Sequence, residues 1–425
     1  MTKIGIASID ITPQHPVWMT GYGNRDHKSE GAYQSLIAGA ISIAGDTDEV
    51  LILTADLIGY DLAYAAAAKS RIAESTGLLP RQIVLTATHT HCAPFFYPMA
   101  MPGEPEKGYA EFLLNQLVQV AISAKNQQVD GMVRFSRGRS EFGVSRRLPD
   151  GKGGVLFAPN PEGPMDRDLD TLWFSNSHAE LIGSLTIFGC HPTSRGGYML
   201  GGDYPGFLCR ALSEQTQAPS FFATGCAGNI RPWFKGENNG FNTPSLEELE
   251  SASRRIADEV MQSQQDATPV HTEGLSVTSE FHHLPYAELP DDATFRDKTE
   301  NHTNPLIRHW ASEMLTQSEA GGLPKSCPQE IQVVQFSEAI RAIFLSGEVL
   351  TEIGLHIKSA LQPATTITVA YSNGLIAYVP SKETYDLGGY EVDGSHFYFL
   401  RPAPFAKNIE DLIVAKTVEI VNTTS

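Results

Sequence analysis

The strongest constraint on this chain is a recurring pattern: a short apolar, β-branched run that stops abruptly in a polar or glycine-rich loop. Such runs occupy residues 50–55, 83–87, 182–188, 220–223, 339–345 and 367–371. Their length and side-chain types read as buried strands. Helical spacing lies between several of them. Residues 109–125 repeat apolar positions with a 3.6-residue period, and residues 245–262 open on Ser245-Leu246-Glu247-Glu248, a capping box that satisfies first-turn amides. A further helix is expected from near Glu348 to about Leu361, with Glu348 at its start, where the helix dipole favours a negative charge. Strands alternating with helices imply an α/β (mixed α+β) fold, mixed β-sheets flanked by helices, with functional loops at strand ends. Segments 137–170 and 233–244 read as loop-rich insertions, but their aromatic and charged residues are unlike a flexible linker, so one domain spanning 1–425 is expected.

One strand end carries unusual chemistry. The run Ile83-Val84-Leu85-Thr86-Ala87 leads into Thr88-His89-Thr90-His91-Cys92. In extended backbone, side chains two apart share a side, so His89 and His91 should enter one space. Imidazole is both the commonest zinc ligand and the usual general base near neutral pH. The residues alone equally allow two loop histidines meeting solvent.

Other strand ends repeat the theme. They are Gly189-Cys190-His191-Pro192-Thr193-Ser194, Ser346-Gly347-Glu348, Ala370-Tyr371-Ser372-Asn373-Gly374 continuing to Tyr378 and Tyr390, and Gly225-Cys226-Ala227-Gly228-Asn229-Ile230-Arg231-Pro232. His191 would supply a third nitrogen if the strands are neighbours, and Glu348 a carboxylate beside it. Strand tyrosines are ordinarily core residues, and nothing in the composition promotes Tyr371 or Tyr378 above that.

Charge narrows the partners. With 49 acidic against 31 basic residues, the formal net charge is -18, which argues against nucleic acid and anionic membrane surfaces. The N-terminal segment lacks the features of a signal peptide, and no apolar stretch is long enough to span a bilayer. A cytoplasmic protein acting on a small-molecule substrate is expected, with homo-oligomerisation left open. Five scattered cysteines without paired spacing imply neither a disulfide framework nor a zinc knuckle.

Taken in order, Thr88-His89-Thr90-His91, His191-Pro192-Thr193-Ser194, Gly347-Glu348 and the segment from Tyr378 to Tyr390 resemble the neutral (non-lysosomal) ceramidase family, as does the opening with Gly21-Tyr22-Gly23-Asn24-Arg25. The resemblance covers nearly the whole chain and implies that family's catalytic-domain fold, without its C-terminal immunoglobulin-like domain. It also implies a zinc-dependent amidohydrolase holding one Zn2+ per chain. By resemblance the metal ligands are His89, His191, Glu348 and Tyr378, while His91 and Tyr390 face the substrate carbonyl as catalytic residues. Zinc-activated water would then cleave an amide, or an ester or lactone. Asp56 is a candidate acceptor for a ligating histidine.

The chain departs from that family where a Gly-Asp-x-Ser-Pro loop would lie. Here the residues are Gly228-Asn229-Ile230-Arg231-Pro232, which removes a serine nucleophile at that position. Arginines also crowd the motif loops: Arg25, Arg146, Arg147, Arg195 and Arg231. Arginine reads carboxylate and phosphate through its planar fork. Arg231, Arg146, Arg195 and Asn229 are therefore candidate substrate-binding residues for a small, soluble, anionic amide or ester, with salt bridging to nearby aspartates as the structural alternative. Two competing readings are a cysteine-dependent hydrolase or transferase using Cys92 or Cys226, and a non-catalytic ligand-binding homologue.

Overall fold

The computed structural model describes residues 2–424. Its largest element is a nine-stranded mixed sheet with the strand order Ser220–Thr224, Leu181–Phe188, Asp168–Asn176, Val129–Arg139, Lys3–Asp10, Ile37–Ala44, Glu49–Ala55 and Ile83–Ala87; Thr268–Val270 pairs with Val129–Arg139 off this path. A second sheet has the order Ser276–Pro285, Ser326–Ser337, Ile340–Leu345 and Thr365–Val369.

Alternation along the strands explains how the sheets stack. Ile4, Ile41, Ile43, Ile52, Phe174 and Leu185 of the large sheet meet Val334, Phe336, Phe344, Ile367 and Val369 of the small one in a shared apolar layer. Side chains of this size each contribute roughly 1.5–3 kcal/mol when buried, and their neighbours on the opposite faces are apolar as well. Leu51, Leu53, Ile83 and Leu85 pack against the helices Leu62–Thr76 and Lys107–Asn126, and Ile331, Val333, Ile343 and Leu345 belong to the same cluster as Ile353, Ile357, Ile409 and Ile413 of Thr351–Ala360 and Ile409–Thr424. Trp173, Phe188 and Phe222 meet the helices Asp203–Thr216 and Leu246–Gln264. The result is helices, sheet, sheet and helices in four layers. Strands buried on both faces explain why the sequence shows continuous apolar runs rather than clean alternation.

One arrangement occurs three times. An antiparallel strand pair is followed by a helix and a strand parallel to the second of the pair: Ile37–Ala44, Glu49–Ala55, Leu62–Thr76, Ile83–Ala87; then Asp168–Asn176, Leu181–Phe188, Asp203–Thr216, Ser220–Thr224; then Ser326–Ser337, Ile340–Leu345, Thr351–Ala360, Thr365–Val369. The carboxyl ends of these parallel pairs carry the loops with His89, His191 and Glu348. Ligand sites in open α/β sheets form at such ends.

Several sequence expectations need correction. Residues 137–170 are not a loop insertion. Val129–Arg139 and Asp168–Asn176 are interior strands of the large sheet, and Gly143–Pro149 with Val155–Asn160 form a hairpin between them. Polar residues such as Arg137 and Asp170 hid this, because they pair with each other across the two strands at 2.6 Å. The helix expected from Glu348 begins at Thr351, after Leu350 as its cap. Glu348 instead lies in a two-residue strand, Glu348–Val349, parallel to Tyr378–Val379 and with Glu348 opposite Tyr378. The capping box at Ser245 and Glu248 is present, both bonds formed at 2.7 and 3.1 Å. Among the described residues no helix is long and apolar enough to cross a membrane.

Candidate metal centre

His89, His91 and His191 converge at the junction of the first two units and are buried, with their ring nitrogens close enough to share one cation. The Nε2 atoms of His89 and His191 are 2.9 Å apart, and those of His91 and His191 3.1 Å apart. Glu348 Oε2 lies 3.2 Å from His89 Nε2 and 3.5 Å from His191 Nε2.

The opposite side of each ring determines what these nitrogens can do. His89 Nδ1 donates to the Ile58 carbonyl at 2.5 Å, His91 Nδ1 to the Gly21 carbonyl at 3.0 Å and His191 Nδ1 to the Ala227 carbonyl at 3.2 Å. A carbonyl can only accept, so each Nδ1 carries the hydrogen and each Nε2 points an unshared pair into the common space. Burial, then the neighbouring His89, hold the pKa values of His91 and His191 well below the ordinary histidine value. The Glu348 Oε2 atom is buried without a hydrogen-bond partner. Three unshared pairs and an unpartnered carboxylate oxygen are mutually unfavourable unless a cation lies among them. Donors on a tetrahedral zinc with 2.0–2.1 Å bonds stand about 3.3 Å apart, and the separations found here bracket that value. The His89, His191 and Glu348 donors therefore fit zinc.

Backbone strain accompanies the cluster. The strand ends at Ala87, and His89 has φ +63°, a left-handed conformation costly for a side-chain-bearing residue. His89 and His91 thus share a space because of a turn, not because of extended alternation as their spacing suggested. Tyr371, Asn373 and Asp203 also have positive φ. Gly21 has φ +96°, and a Cβ there would stand 2.6 Å from the His91 ring, so only glycine lets its carbonyl reach that imidazole.

Tyrosines form the walls. Tyr371 lies against His89 with ring centroids 4.0 Å apart, and its hydroxyl is 3.3 Å from His191 Nδ1. The sequence left Tyr371 in the core; nothing local marks it, because it meets the histidines only through tertiary packing. Tyr378 stacks parallel to His191 at 6.3 Å and meets Tyr390 edge-on at 5.3 Å. Tyr22, quoted above only as part of the opening, has its ring 5.0 Å from His91.

The arginines separate into distinct roles. Arg25 donates to the carbonyls of Thr20, His91 and Gly197, stapling the loops around His91. Arg146 and Arg147 share Glu391, at 2.8 and 2.5 Å. Arg146 also stands over the Tyr378 and Tyr390 rings and keeps a buried, unpartnered Nη2. Arg195 accepts from the Tyr22 hydroxyl through its carbonyl at 3.0 Å, and Arg231 Nη2 donates to the Thr193 carbonyl at 3.0 Å.

Two candidates are committed elsewhere. Asn229 accepts from the Thr351 amide and donates to both Glu352 oxygens at 2.9 and 3.0 Å, so its amide caps a helix and is not free for substrate. Asp56 accepts from the Ile37 amide and the Thr88 hydroxyl; it supports the turn before His89, whose Nδ1 is taken by Ile58. The thiols fare no better as nucleophiles: burial pushes both Cys92 and Cys226 up to about 12.

No known family pattern matches this chain, and no curated protein is similar to it in sequence. Solved structures are similar in fold. The neutral ceramidase from Pseudomonas aeruginosa superposes with a TM-score of 0.77 at 18% identity, covering 98% of this chain and 73% of that one. A ceramidase complexed with C2 gives a TM-score of 0.75 at 17% identity, covering 98% and 74%. The chain therefore shares the ceramidase fold, a mixed α/β scaffold, around a buried triad of histidines able to hold a metal.

Proposed function

We propose that this chain is a zinc-dependent hydrolase of an amide or ester bond in a small, soluble, anionic substrate, with residues 1–425 acting as one catalytic unit. The observation that carries the reading is that the Nε2 unshared pairs of His89 and His191 face the unpartnered Glu348 oxygen, with His91 Nε2 beside His191. His89, His191, Glu348 and Tyr378 would hold one zinc. Zinc there supplies Lewis-acid polarisation of the carbonyl and makes water nucleophilic near neutral pH. Water adds to the acyl carbon, the bond to nitrogen or oxygen breaks, and the proton passes to the departing amine or alcohol.

The chain's own residues supply the rest. His91 is 8% exposed whereas His89 and His191 are fully enclosed, so it is the imidazole a substrate can reach. Burial keeps it neutral, so its Nε2 can accept a hydrogen bond from the attacking water. Tyr390, 41% exposed, offers its hydroxyl to the developing oxyanion. A second arrangement has one specific support: His91 Nε2 lies 3.1 Å from His191 Nε2, so His91 could replace Tyr378 as the fourth donor. The fold likeness to ceramidases supports a hydrolase, while the Arg231 guanidinium, held to the Thr193 carbonyl two residues beyond His191, favours a soluble anionic substrate over a membrane lipid. We place the protein in the cytoplasm, with neither nucleic acid nor membrane as partner.

Elemental analysis of purified protein, paired with a chelator-controlled hydrolase screen, tests this. One zinc per chain and activity lost on chelation are expected. Activity that resists chelation and dies on thiol alkylation would replace the reading with the cysteine mechanism.

A further inference from the structure

Positive charge collects on one side of the histidines without being neutralised. Of the five arginines on the motif loops, Arg25, Arg146 and Arg147 are held by carbonyls or by Glu391. Arg195 and Arg231 are different: among the described residues neither has a carboxylate within ion-pair distance, and each keeps a buried Nε–H without an acceptor. A buried, unpaired donor on a charged group is costly, and an acidic protein has carboxylates to spare.

Packing gathers these two guanidiniums. Arg231 lies against the adjoining rings of Phe241 at 4.5 Å and Phe157 at 5.5 Å, while Arg195 Nη1 donates to the carbonyl of Pro244, three residues beyond Phe241. Arg231 Nη2 donates at 3.0 Å to Thr193, two residues beyond His191. Tyr22 bridges to the metal donors: its hydroxyl bonds the Arg195 carbonyl at 3.0 Å, and its ring lies against His91. Phe157, 60% exposed, covers one side of the Arg231 guanidinium.

We propose that Arg195 and Arg231 form a carboxylate-binding subsite, so that the substrate is a carboxylate-bearing amide or ester of the N-acyl amino acid type. This rests on the hydrolase reading above and names the substrate class for that same site. Each planar guanidinium is pinned by a carbonyl and keeps one unpartnered Nε–H, the charge-assisted donor type that a carboxylate oxygen accepts from. A tetrahedral dianion needs more donors, and the nearest helix start refuses one: Asp203 places its own carboxylate there, accepting from the amides of Tyr204 and Arg195 at 2.6 and 2.9 Å.

The test uses zinc-loaded full-length protein and N-acetyl, N-octanoyl and N-benzoyl derivatives of glycine and phenylalanine, each beside its neutral carboxamide. Higher kcat/KM for the carboxylates is expected, with the carboxylate-to-carboxamide ratio falling roughly 10- to 100-fold in Arg231→Gln and in Arg195→Gln, the range for a lost charge-assisted hydrogen bond. The surface variant Arg254→Gln should leave that ratio unchanged. Benzoate titrated into metal-free protein gives a readout independent of catalysis and of carboxylate binding to zinc: binding should weaken in both variants by a similar factor. Chelator-sensitive hydrolysis with no carboxylate preference, or with a ratio indifferent to both substitutions, would overturn the subsite and leave the metal reading standing. Inorganic phosphate competing better than benzoate would replace carboxylate with a tetrahedral anion. Absence of chelator-sensitive hydrolysis on every probe would remove the underlying hydrolase reading.

Discussion

Replacing Glu348 by glutamine separates a metal site from a structural hydrogen-bond network, because the two make opposite demands on the carboxylate. In the metal reading, Glu348 Oε2 faces two imidazole unshared pairs at 3.2 and 3.5 Å and has no donor. Its charge is then useful only to a cation. An unfolding entropy near 2.1 cal/mol/K per residue gives about 0.9 kcal/mol/K for 425 residues, so 1 kcal/mol moves Tm by about 1 °C. Zinc at a thousand times its Kd adds about 4.1 kcal/mol, an expected rise of about 4–5 °C for the wild type. Loss of a ligating charge weakens zinc at least as much as loss of an outer partner, roughly 10- to 100-fold. At equal zinc, Glu348→Gln should therefore forfeit about 2–3 °C of that rise. Metal-free Glu348→Gln should melt no lower than metal-free wild type, since an amide N–H2 can donate to the facing imidazoles. Scanning calorimetry with and without zinc reads all four states. If instead Glu348 held a protonated imidazole in a buried ion pair, its loss would cost about 3–5 kcal/mol. A metal-free variant melting about 3–5 °C lower, with zinc moving neither protein, would refute the metal site.

Three further outcomes are expected. Tyr378→Phe should lower zinc content, whereas His91→Ala should keep the metal and lose kcat by at least about 100-fold, the usual worth of a general base; elemental analysis showing the reverse would make His91 the ligand. Iodoacetamide should label Cys209 first, though slowly: it alone among the five cysteines is half-buried rather than buried, while desolvation holds its thiol well above the ordinary value; peptide mapping should show activity surviving that label, and inactivation in step with Cys92 or Cys226 modification would restore the thiol mechanism. Burial raises the Glu352 carboxyl to about 7, so between its unfolded value of about 4.3 and 7 the folded state binds a proton the unfolded state has released, and stability falls as pH rises through that window. Glu352→Gln should accordingly gain on wild type between pH 4.5 and 7.5, by up to about 3 kcal/mol; a pH-independent difference in Tm would show that the carboxyl is ionised throughout.

The strands were legible because they are apolar on both faces. Residues 83–87 stand where the sequence placed them, and the Ser245 capping box is intact. Chemistry at the loops was legible only as residue type. The pairing of His89 with His91 follows from spacing, but the cause is a left-handed turn that no hydropathy pattern encodes. Glu348 looked like a helix-start carboxylate because an apolar strand precedes it and a helix does follow, three residues later than expected. Asn229 and Arg25 have the side chains of substrate-binding residues and are used up by a helix end and by carbonyls. Which arginine remains free depends on which backbone acceptors the fold brings to it. Tyr371 carried no signal at all, since its contacts are with residues far away in sequence.

The repeated unit explains why such a site can exist on strands so far apart in the chain. Each antiparallel pair followed by a helix and a parallel strand delivers one loop at the carboxyl end of its parallel strands, and three of them give His89 and His91, His191, and Glu348. The loops are tied across units as well as within them: Thr224 donates to the Thr88 carbonyl at 2.7 Å and the Gly228 amide to Val349 at 3.0 Å, while His191 donates to Ala227 and the Thr88 amide to Ala55 inside their own units. A Cβ at Gly228 would lie 2.7 Å from the Glu348 carbonyl, so the loop that ends in Arg231 is pressed onto the backbone that carries the carboxylate. Within that fixed frame, the residue three positions after Gly228 can change its chemistry without moving the donors. In the proposed reading, arginine there would leave the histidine and Glu348 donors in place and make the adjoining wall cationic, changing the substrate taken rather than the way it is cleaved.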